Sequence, residues 1–310
     1  MEILLQFGLL VVGFFMLGKG ADWFVEGAAS IATRFGIPQL VIGLTIVAMG
    51  TSTPEAAVSL AAALKGSADI TIGNVVGSNI LNVLVILGMS AAITRLKVAK
   101  STIKIEIPFM IAVTALLYVQ GLDGVVTLMD GALLAAVFGA YLFYLYIFTK
   151  QADPTEETEE VAGYPIGQAL LWTVAGLALI MTGSNVTVGA ATEIATYAGL
   201  SERFIGLTIV ALGTSLPELF TSVTAARKGN ADIAIGNIVG SNIFNILFVV
   251  GSSALITPVA FTAAFRSDAL IAVAAAALLL ICCLRHYRIS RKSGAAMLAG
   301  YTAYFMLVLI

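Results

Sequence analysis

Residues 43–84 read GLTIVAMGTSTPEAAVSLAAALKGSADITIGNVVGSNILNVL, and residues 206–247 read GLTIVALGTSLPELFTSVTAARKGNADIAIGNIVGSNIFNIL. The two stretches align without a gap at an offset of 163, and 29 of the 42 positions are identical. Chance does not produce such agreement, so the chain is an internal duplication. Each copy holds Gly-Thr-Ser-x-Pro-Glu (Gly50–Glu55 and Gly213–Glu218) followed by Gly-Asn-x-x-Gly-Ser-Asn-x-x-Asn (Gly73–Asn82 and Gly236–Asn245).

The chain around the repeat is built for lipid. It has 310 residues, 59% hydrophobic and 11% charged, with a mean hydropathy of +1.01. Soluble domains carry about 25% charged residues. A chain this apolar could not cover its surface in water, so lipid is its main solvent. The net charge of -2 gives no sign of a nucleic-acid partner. The adjacent Cys282 and Cys283 read as filler at the end of an apolar run, and His286 as an interfacial residue among arginines. The apolar run after Met1-Glu2 lacks a basic n-region and reads as a first span, not a removed signal.

A helix needs about 20 apolar residues to cross a bilayer. Runs that qualify cover residues 4–29, 38–64, 69–94, 104–121, 128–149, 165–197, 203–227, 231–256, 267–284 and 294–310. The expected fold is an all-α integral membrane protein of ten helices, arranged as two five-helix repeats at residues 1–149 and 165–310. An odd number of spans per repeat inverts the second copy relative to the first, a common plan of secondary transporters. The loop charges give the orientation. With both termini outside, the inside loops hold Arg34, Arg95, Lys97, Lys100, Lys104, Lys150, Arg227, Lys228, Arg285, Arg288, Arg291 and Lys292. The outside loops hold only Lys65, Arg203 and Arg266. Residues 150–164 contain Asp153, Pro154, Glu156, Glu157, Glu159 and Glu160 and read as an acidic cytoplasmic linker, too short for a folded regulatory domain.

Inside a membrane helix the first motif is unusual chemistry. Proline removes an amide donor and clashes with the carbonyl one turn back, so Pro54 and Pro217 should kink their helices. The kink is expected to free carbonyls of the preceding turn, including those of Ala48 and Ala211. Thr51, Ser52, Thr214 and Ser215 add hydroxyls; Glu55 and Glu218 add one carboxylate each. Polar groups at this depth must line a cavity or bind something. Oxygen-only ligation suits a hard cation such as Ca²⁺ or Na⁺. In the second motif, Asn74, Ser78 and Asn82 are spaced by four and share a helix face, as do Asn237, Ser241 and Asn245. Gly73, Gly77, Gly236 and Gly240 read first as close-packing residues. Asp69 and Asp232 read as helix-start residues; Asp22 and Glu26 could border an ion path, with Lys19 neutralising one of them. Two carboxylates balance one Ca²⁺. If sodium ions use the same carboxylates plus the neutral oxygens, the two cations exclude one another, and exchange moves net charge whenever sodium exceeds charge balance.

The paired motifs resemble the alpha repeats of the calcium/cation antiporter superfamily, and within it the prokaryotic sodium/calcium exchanger family. The resemblance spans nearly the whole chain. It implies a Na⁺/Ca²⁺ antiporter of the plasma membrane, working by alternating access, with the first and sixth helices sliding against a core of motif helices. It implies a central calcium site at Glu55 and Glu218, aided by the carbonyls of Thr51 and Thr214, with Asn82 and Asn245 also central. It implies flanking sodium sites that draw on Ala48, Ser52, Ser78, Ala211, Ser215 and Ser241. Potassium-dependent relatives carry Asp where Asn245 stands, which argues for potassium independence here. The transported ions and lipid are the only partners implied, with no cofactor and no obligatory protein partner. H⁺/Ca²⁺ exchange is the main alternative. A two-glutamate channel fits less well, since inverted repeats with broken helices suit alternating access. An intramembrane enzyme lacks any activated nucleophile or histidine beside the carboxylates.

Overall fold

The computed structural model describes residues 2–66, 68–151, 163–200, 209, 211–284 and 286–309. The acidic run from Asp153 to Glu160, Arg203, Arg285 and the start of the seventh expected span lie outside the described residues. The described residues are mainly helical: α1 (Glu2–Phe35), α2 (Gln39–Thr51), α3 (Thr53–Leu64), α4 (Ile70–Ile93), α5 (Thr102–Asp123), α6 (Leu128–Gln151), α7 (Ile166–Tyr197), α8 (Ala211–Thr214), α9 (Leu216–Arg227), α10 (Ala231–Ile256), α11 (Ala263–Leu284) and α12 (Arg291–Leu309). Among the described residues, seven of these are long and apolar enough to cross a membrane: α1, α4, α5, α6, α7, α10 and α11. The α2–α3 pair qualifies as one broken span, bent by 50°.

The break comes from the sequence. Pro54 lies in the first turn of α3, where a missing amide costs little because first-turn amides have no helical partner. Ser52 leaves helical geometry at φ -82°, ψ 8°, and Ser215 repeats this before Pro217 at φ -92°, ψ 5°. Each GTSxPE motif is therefore a corner between two helix segments. Wide π turns accompany the corners. One occupies Gly43–Val47 inside α2. Two more, Asn82–Leu87 in α4 and Asn245–Val250 in α10, are equivalent at the repeat offset. Each starts on the asparagine that ends its second motif. Such bulges cluster at functional sites because they re-aim side chains.

Four two-residue strands fix the relation between the repeats. β1 (Leu96–Lys97) pairs antiparallel with β4 (Arg288–Ile289), and β2 (Val125–Val126) with β3 (Val259–Ala260). At the repeat offset β1 corresponds to β3 and β2 to β4. Each loop thus pairs with the loop that follows or precedes its own counterpart. Since α5 and α11 separate these loops, the loop after α4 lies at the opposite face from its repeat equivalent, and the two halves are inverted. The pairing also gathers Arg95, Lys97, Arg288 and Arg291 at one face, as the loop charges predict; Arg291 donates to the Ile93 carbonyl at 3.2 Å.

The core is the second motif. The Ala231–Ile256 helix is almost wholly buried, whereas α1, α6 and α7 lie largely at the surface. Its glycines pack as expected: a Cβ at Gly240 would lie 2.7 Å from the Leu44 backbone, and one at Gly236 3.0 Å from Gly43 Cα. Of their first-repeat equivalents, a Cβ at Gly73 would lie 3.3 Å from the Phe265 ring, but one at Gly77 would meet nothing within 4 Å, so that glycine does not close-pack. Helix α1 packs along α7 through glycines that coincide at the repeat offset, Gly13 with Gly176 and Gly20 with Gly183, although Asp22 and Glu26 stand opposite Asn185 and Gly189 there. Glycines recur every seven residues at Gly13, Gly20 and Gly27, and at Gly176 and Gly183. A Cβ at Gly20 would meet Ile180 N at 2.8 Å, and one at Gly176 would meet Phe24 N at 2.5 Å. The two backbones touch because no side chain stands between them.

Candidate functional site

The corners at Ser52 and Ser215 bring both GTSxPE motifs against both GNxxGSNxxN motifs in the buried centre. Glu55 and Glu218 are each 1% exposed. Each carboxylate is held by the serine of the other repeat: Ser52 Oγ donates to Glu218 Oε1 at 2.8 Å, and Ser215 Oγ to Glu55 Oε1 at 3.3 Å. Ser215 also reaches Ser78 Oγ at 3.4 Å. On the other side, Ser241 Oγ donates to the Ala48 carbonyl at 3.4 Å, and Thr51 Oγ1 faces Asn237 Oδ1 at 3.0 Å and the Ala48 carbonyl at 3.3 Å. These bonds join eight of the twelve predicted residues: Glu55, Glu218, Ser52, Ser215, Ser78, Ser241, Thr51 and Ala48. Thr214 is half-buried at the end of α8, and Ala211 opens that helix.

One expectation is corrected. The kink does not free the Ala48 carbonyl, which accepts the Ser52 amide at 3.0 Å. The amide that proline lacks is two residues further on, so the hydrogen bond lost is not the one to Ala48. That carbonyl contributes through its remaining lone pair, toward Ser241. Asn237 extends the polar stripe as expected, its Oδ1 accepting from Thr51 Oγ1. The NH₂ groups of Asn74 and Asn237 brace neighbouring backbone and serine hydroxyls. Asn74 Nδ2 donates to the Glu55 carbonyl at 3.1 Å and to Ser59 Oγ at 2.9 Å; Asn237 Nδ2 donates to the Glu218 carbonyl at 3.5 Å and to Ser222 Oγ at 2.9 Å. Each holds the turn that carries its own repeat's glutamate.

Asn79 and Asn242 are the residues the motif reading missed. Asn79 Nδ2 donates to the Asn242 carbonyl at 3.1 Å, and Asn242 Nδ2 to the Asn79 carbonyl at 3.2 Å. A backbone carbonyl only accepts, so both side-chain amides have a fixed sense, with Oδ1 pointing away. Those oxygens then accept from Asn245 Nδ2 at 3.1 Å and Asn82 Nδ2 at 2.9 Å. The chain of donors ends there, and Asn82 and Asn245 must turn their own oxygens outward. Among the described residues, four buried oxygens at the centre have no hydrogen-bond partner: Glu55 Oε2, Glu218 Oε2, Asn82 Oδ1 and Asn245 Oδ1. They form two pairs related by the repeat. Buried oxygens left bare are costly unless a cation takes them. Among the described residues no cluster of three or more His, Cys, Asp or Glu could hold a metal. The site has two acidic side chains and otherwise neutral oxygens.

At the face that carries Tyr164 and Lys228, Asp22 and Glu26 of α1 meet a cation, but not Lys19. Lys228, in the turn between α9 and α10, bridges Asp22 at 3.2 Å and also Glu26, while Tyr164 Oη donates to Glu26 Oε2 at 3.3 Å. Lys19 lies instead over the Trp23 ring, 5.8 Å from its centroid. Burial alone would lower the Lys228 ammonium, but its hydrogen bonds to Glu26 and Asp22 outweigh that and hold it above the usual lysine value. The Lys228 ammonium is therefore charged at neutral pH, and its part in the bridge is lost as pH rises past that raised value.

The sequence pattern of the sodium/calcium exchanger protein family matches twice, over residues 5–147 and 168–310. The chain belongs to the sodium/calcium exchanger family. The exchanger is 42% identical over 305 residues to CaxA of Alkalimonas amylolytica, covering 95% of this chain and 96% of that one. It is 31% identical to the sodium/calcium exchanger MaX1 of Methanosarcina acetivorans, covering 99% of each. Its structure matches that of the sodium-calcium exchanger NCX_Mj soaked with Na⁺ and Sr²⁺, with a TM-score of 0.86 and 32% identity over 98% of this chain and 99% of that one. The exchanger is a multi-pass plasma-membrane cation antiporter, from a family of transporters and not of enzymes.

Proposed function

We propose that this exchanger trades Na⁺ for Ca²⁺ by alternating access, electrogenically and without potassium. The carrying observation is the set of four bare oxygens on Glu55, Glu218, Asn82 and Asn245, buried together and paired by the repeat. Two carboxylates and two amide oxygens suit one divalent hard cation. Thr51 and Thr214 complete the calcium site through their carbonyls. Ala48, Ser52, Ser78, Ala211, Ser215 and Ser241 supply flanking sodium ligands. Calcium and the sodium set compete for the same carboxylates, and that competition is the coupling. Asn245 supports potassium independence, because it leaves the centre with two acidic groups only. Ten spans carry the site: the seven long helices, the bent α2–α3 pair, the segment ending in α8–α9, and α12. They form repeats at 1–149 and 165–310 joined by the linker 150–164, with both termini outside.

The test is calcium uptake into proteoliposomes under an imposed sodium gradient, repeated with a pH gradient and at several membrane potentials. Sodium-driven, potential-dependent uptake is expected. Uptake that ignores sodium and follows pH would make the protein a proton/calcium exchanger. Glu55→Gln and Glu218→Gln are each expected to abolish flux, since each removes half of the site's charge; near-normal flux in either would remove that residue from the site.

A further inference from the structure

A second buried carboxylate lies outside the transport centre. Glu106, near the start of α5, is 1% exposed. Tyr144 Oη of α6 donates to its Oε1 at 2.6 Å, but Oε2 is buried with no partner among the described residues. The Tyr141 hydroxyl, one turn before Tyr144, is also buried without a partner. Glu106, Tyr141 and Tyr144 line an apolar cavity of about 210 Å³ between α5 and α6, together with Ile105, Phe109, Val137 and Ala140; the two oxygens lie buried behind its wall. Phe109 and Tyr141 stack in its wall with centroids 5.1 Å apart.

Nothing in the transport reading uses this carboxylate. Its repeat counterpart is Ala269, buried and apolar. The second repeat does tie its fourth and fifth helices with a comparable pair, Tyr304 Oη to Asp268 Oδ1 at 3.2 Å. There, neither side chain leaves a buried oxygen bare among the described residues. A helix-to-helix tie thus needs one carboxylate oxygen, and Glu106 has one to spare, beside a spare hydroxyl and two aromatic faces. A carboxylate, a hydroxyl acceptor and aromatic rings around an apolar cavity are the groups that hold an ammonium with N–H donors.

The position names the source of that ammonium. Glu106 is four residues from the start of its span and Tyr144 seven from the end of its own, so both lie about 6–10 Å inside the same membrane face. That is the depth where lipid headgroups meet acyl chains. Lys104 and Lys150 stand at the same ends, Lys150 over the exposed Tyr146 ring at 4.7 Å, and can meet a phosphodiester. We propose that the α5–α6 cavity binds the primary ammonium of an ethanolamine phospholipid headgroup, with Glu106 Oε2 and Tyr141 Oη as acceptors.

The experiment uses the full chain, purified and delipidated, and reads binding by native mass spectrometry and thermal stabilisation. The probes are dioleoyl-phosphatidylethanolamine, its mono- and dimethyl derivatives, and the choline and glycerol lipids. Affinity is expected to fall with each N–H removed, reaching about a tenfold loss at choline. Glu106→Gln should abolish this ordering while keeping transport. The methylation series on the unaltered chain needs no variant, so a misfolded variant would not rescue the proposal. Equal binding of all headgroups would overturn it, as would an unchanged ordering in Glu106→Gln. Stabilisation by dodecylamine but not by the ethanolamine lipid would overturn the lipid assignment too.

Discussion

At the scale of single residues, the site rests on which way four amides point. The Asn79–Asn242 pair spends its N–H groups on backbone carbonyls, and this alone dictates that Asn82 and Asn245 offer oxygen to the centre. Asn79→Ala removes the acceptor that pins Asn245 and exposes the Asn242 carbonyl. Asn245 can then rotate and present its NH₂, which repels a cation. Calcium KM is expected to rise about tenfold, the effect of losing one charge-assisted contact, with a smaller change in kcat. Initial-rate uptake at varied calcium checks this. A pure fold defect would lower active protein without moving KM, and an unmoved KM would deny Asn79 its orienting role. The acidic and hydroxyl residues of the buried centre were legible in the motif because such groups are costly in lipid unless they serve a cavity. Asn79 and Asn242 were not, although both copies keep them, because an asparagine that orients reads in sequence like one that ligates. The same limit applied to Asn74 and Asn237: helical spacing put them on the polar face, but spacing does not say whether an amide serves an ion or a backbone.

At the scale of elements, the proline corner was legible and the π turns were not, since a π turn has no residue signature and depends on tertiary packing. The glycine heptad of α1 and α7 was present in the sequence but was hidden by a comparison that followed charged residues. It makes a sharp pair of predictions. Gly18 and Gly20 are two residues apart on α1; a Cβ at Gly18 has no atom within 4 Å, whereas one at Gly20 lies 2.8 Å from Ile180 N and 2.9 Å from the Gly176 carbonyl. Gly18→Ala is expected to be neutral or to stabilise by up to about 1 kcal/mol through helix propensity. Gly20→Ala must push α1 from α7 and is expected to destabilise by about 1–3 kcal/mol, the range for overpacking. Thermal unfolding of both variants in one detergent decides it: equal midpoints would mean that the helices are not in backbone contact.

At the scale of the molecule, the inversion of the two halves was expected from the repeat's odd number of spans, and the crossed strand pairs β1–β4 and β2–β3 express it directly. Sliding of the first and sixth helices was implied by the family resemblance and by no residue pattern, because motion depends on contacts between elements far apart in sequence. The contacts divide into two kinds. Between α1 and α7 the packing is backbone on backbone, with Trp23 and Trp172 at 4.6 Å. Between α1 and the motif helix α9 it runs through larger side chains, such as Phe14 and Phe220 at 6.1 Å, and the Lys228 bridge at one end. Interlocked backbones resist sliding, while side-chain contacts can be exchanged, so α1 and α7 should travel as one body over the core. Two double-cysteine exchangers test this, both with Cys282 and Cys283 replaced by serine. A short bifunctional thiol cross-link between Trp23→Cys and Trp172→Cys joins parts of one body and should leave sodium-driven calcium uptake near its uncross-linked level. The same cross-link between Phe14→Cys and Phe220→Cys joins the mobile pair to the core and should stop uptake, which should return when a cleavable linker is reduced. Uptake that survives the Phe14–Phe220 link would place the moving boundary elsewhere, and uptake lost to the Trp23–Trp172 link would show that α1 and α7 move independently.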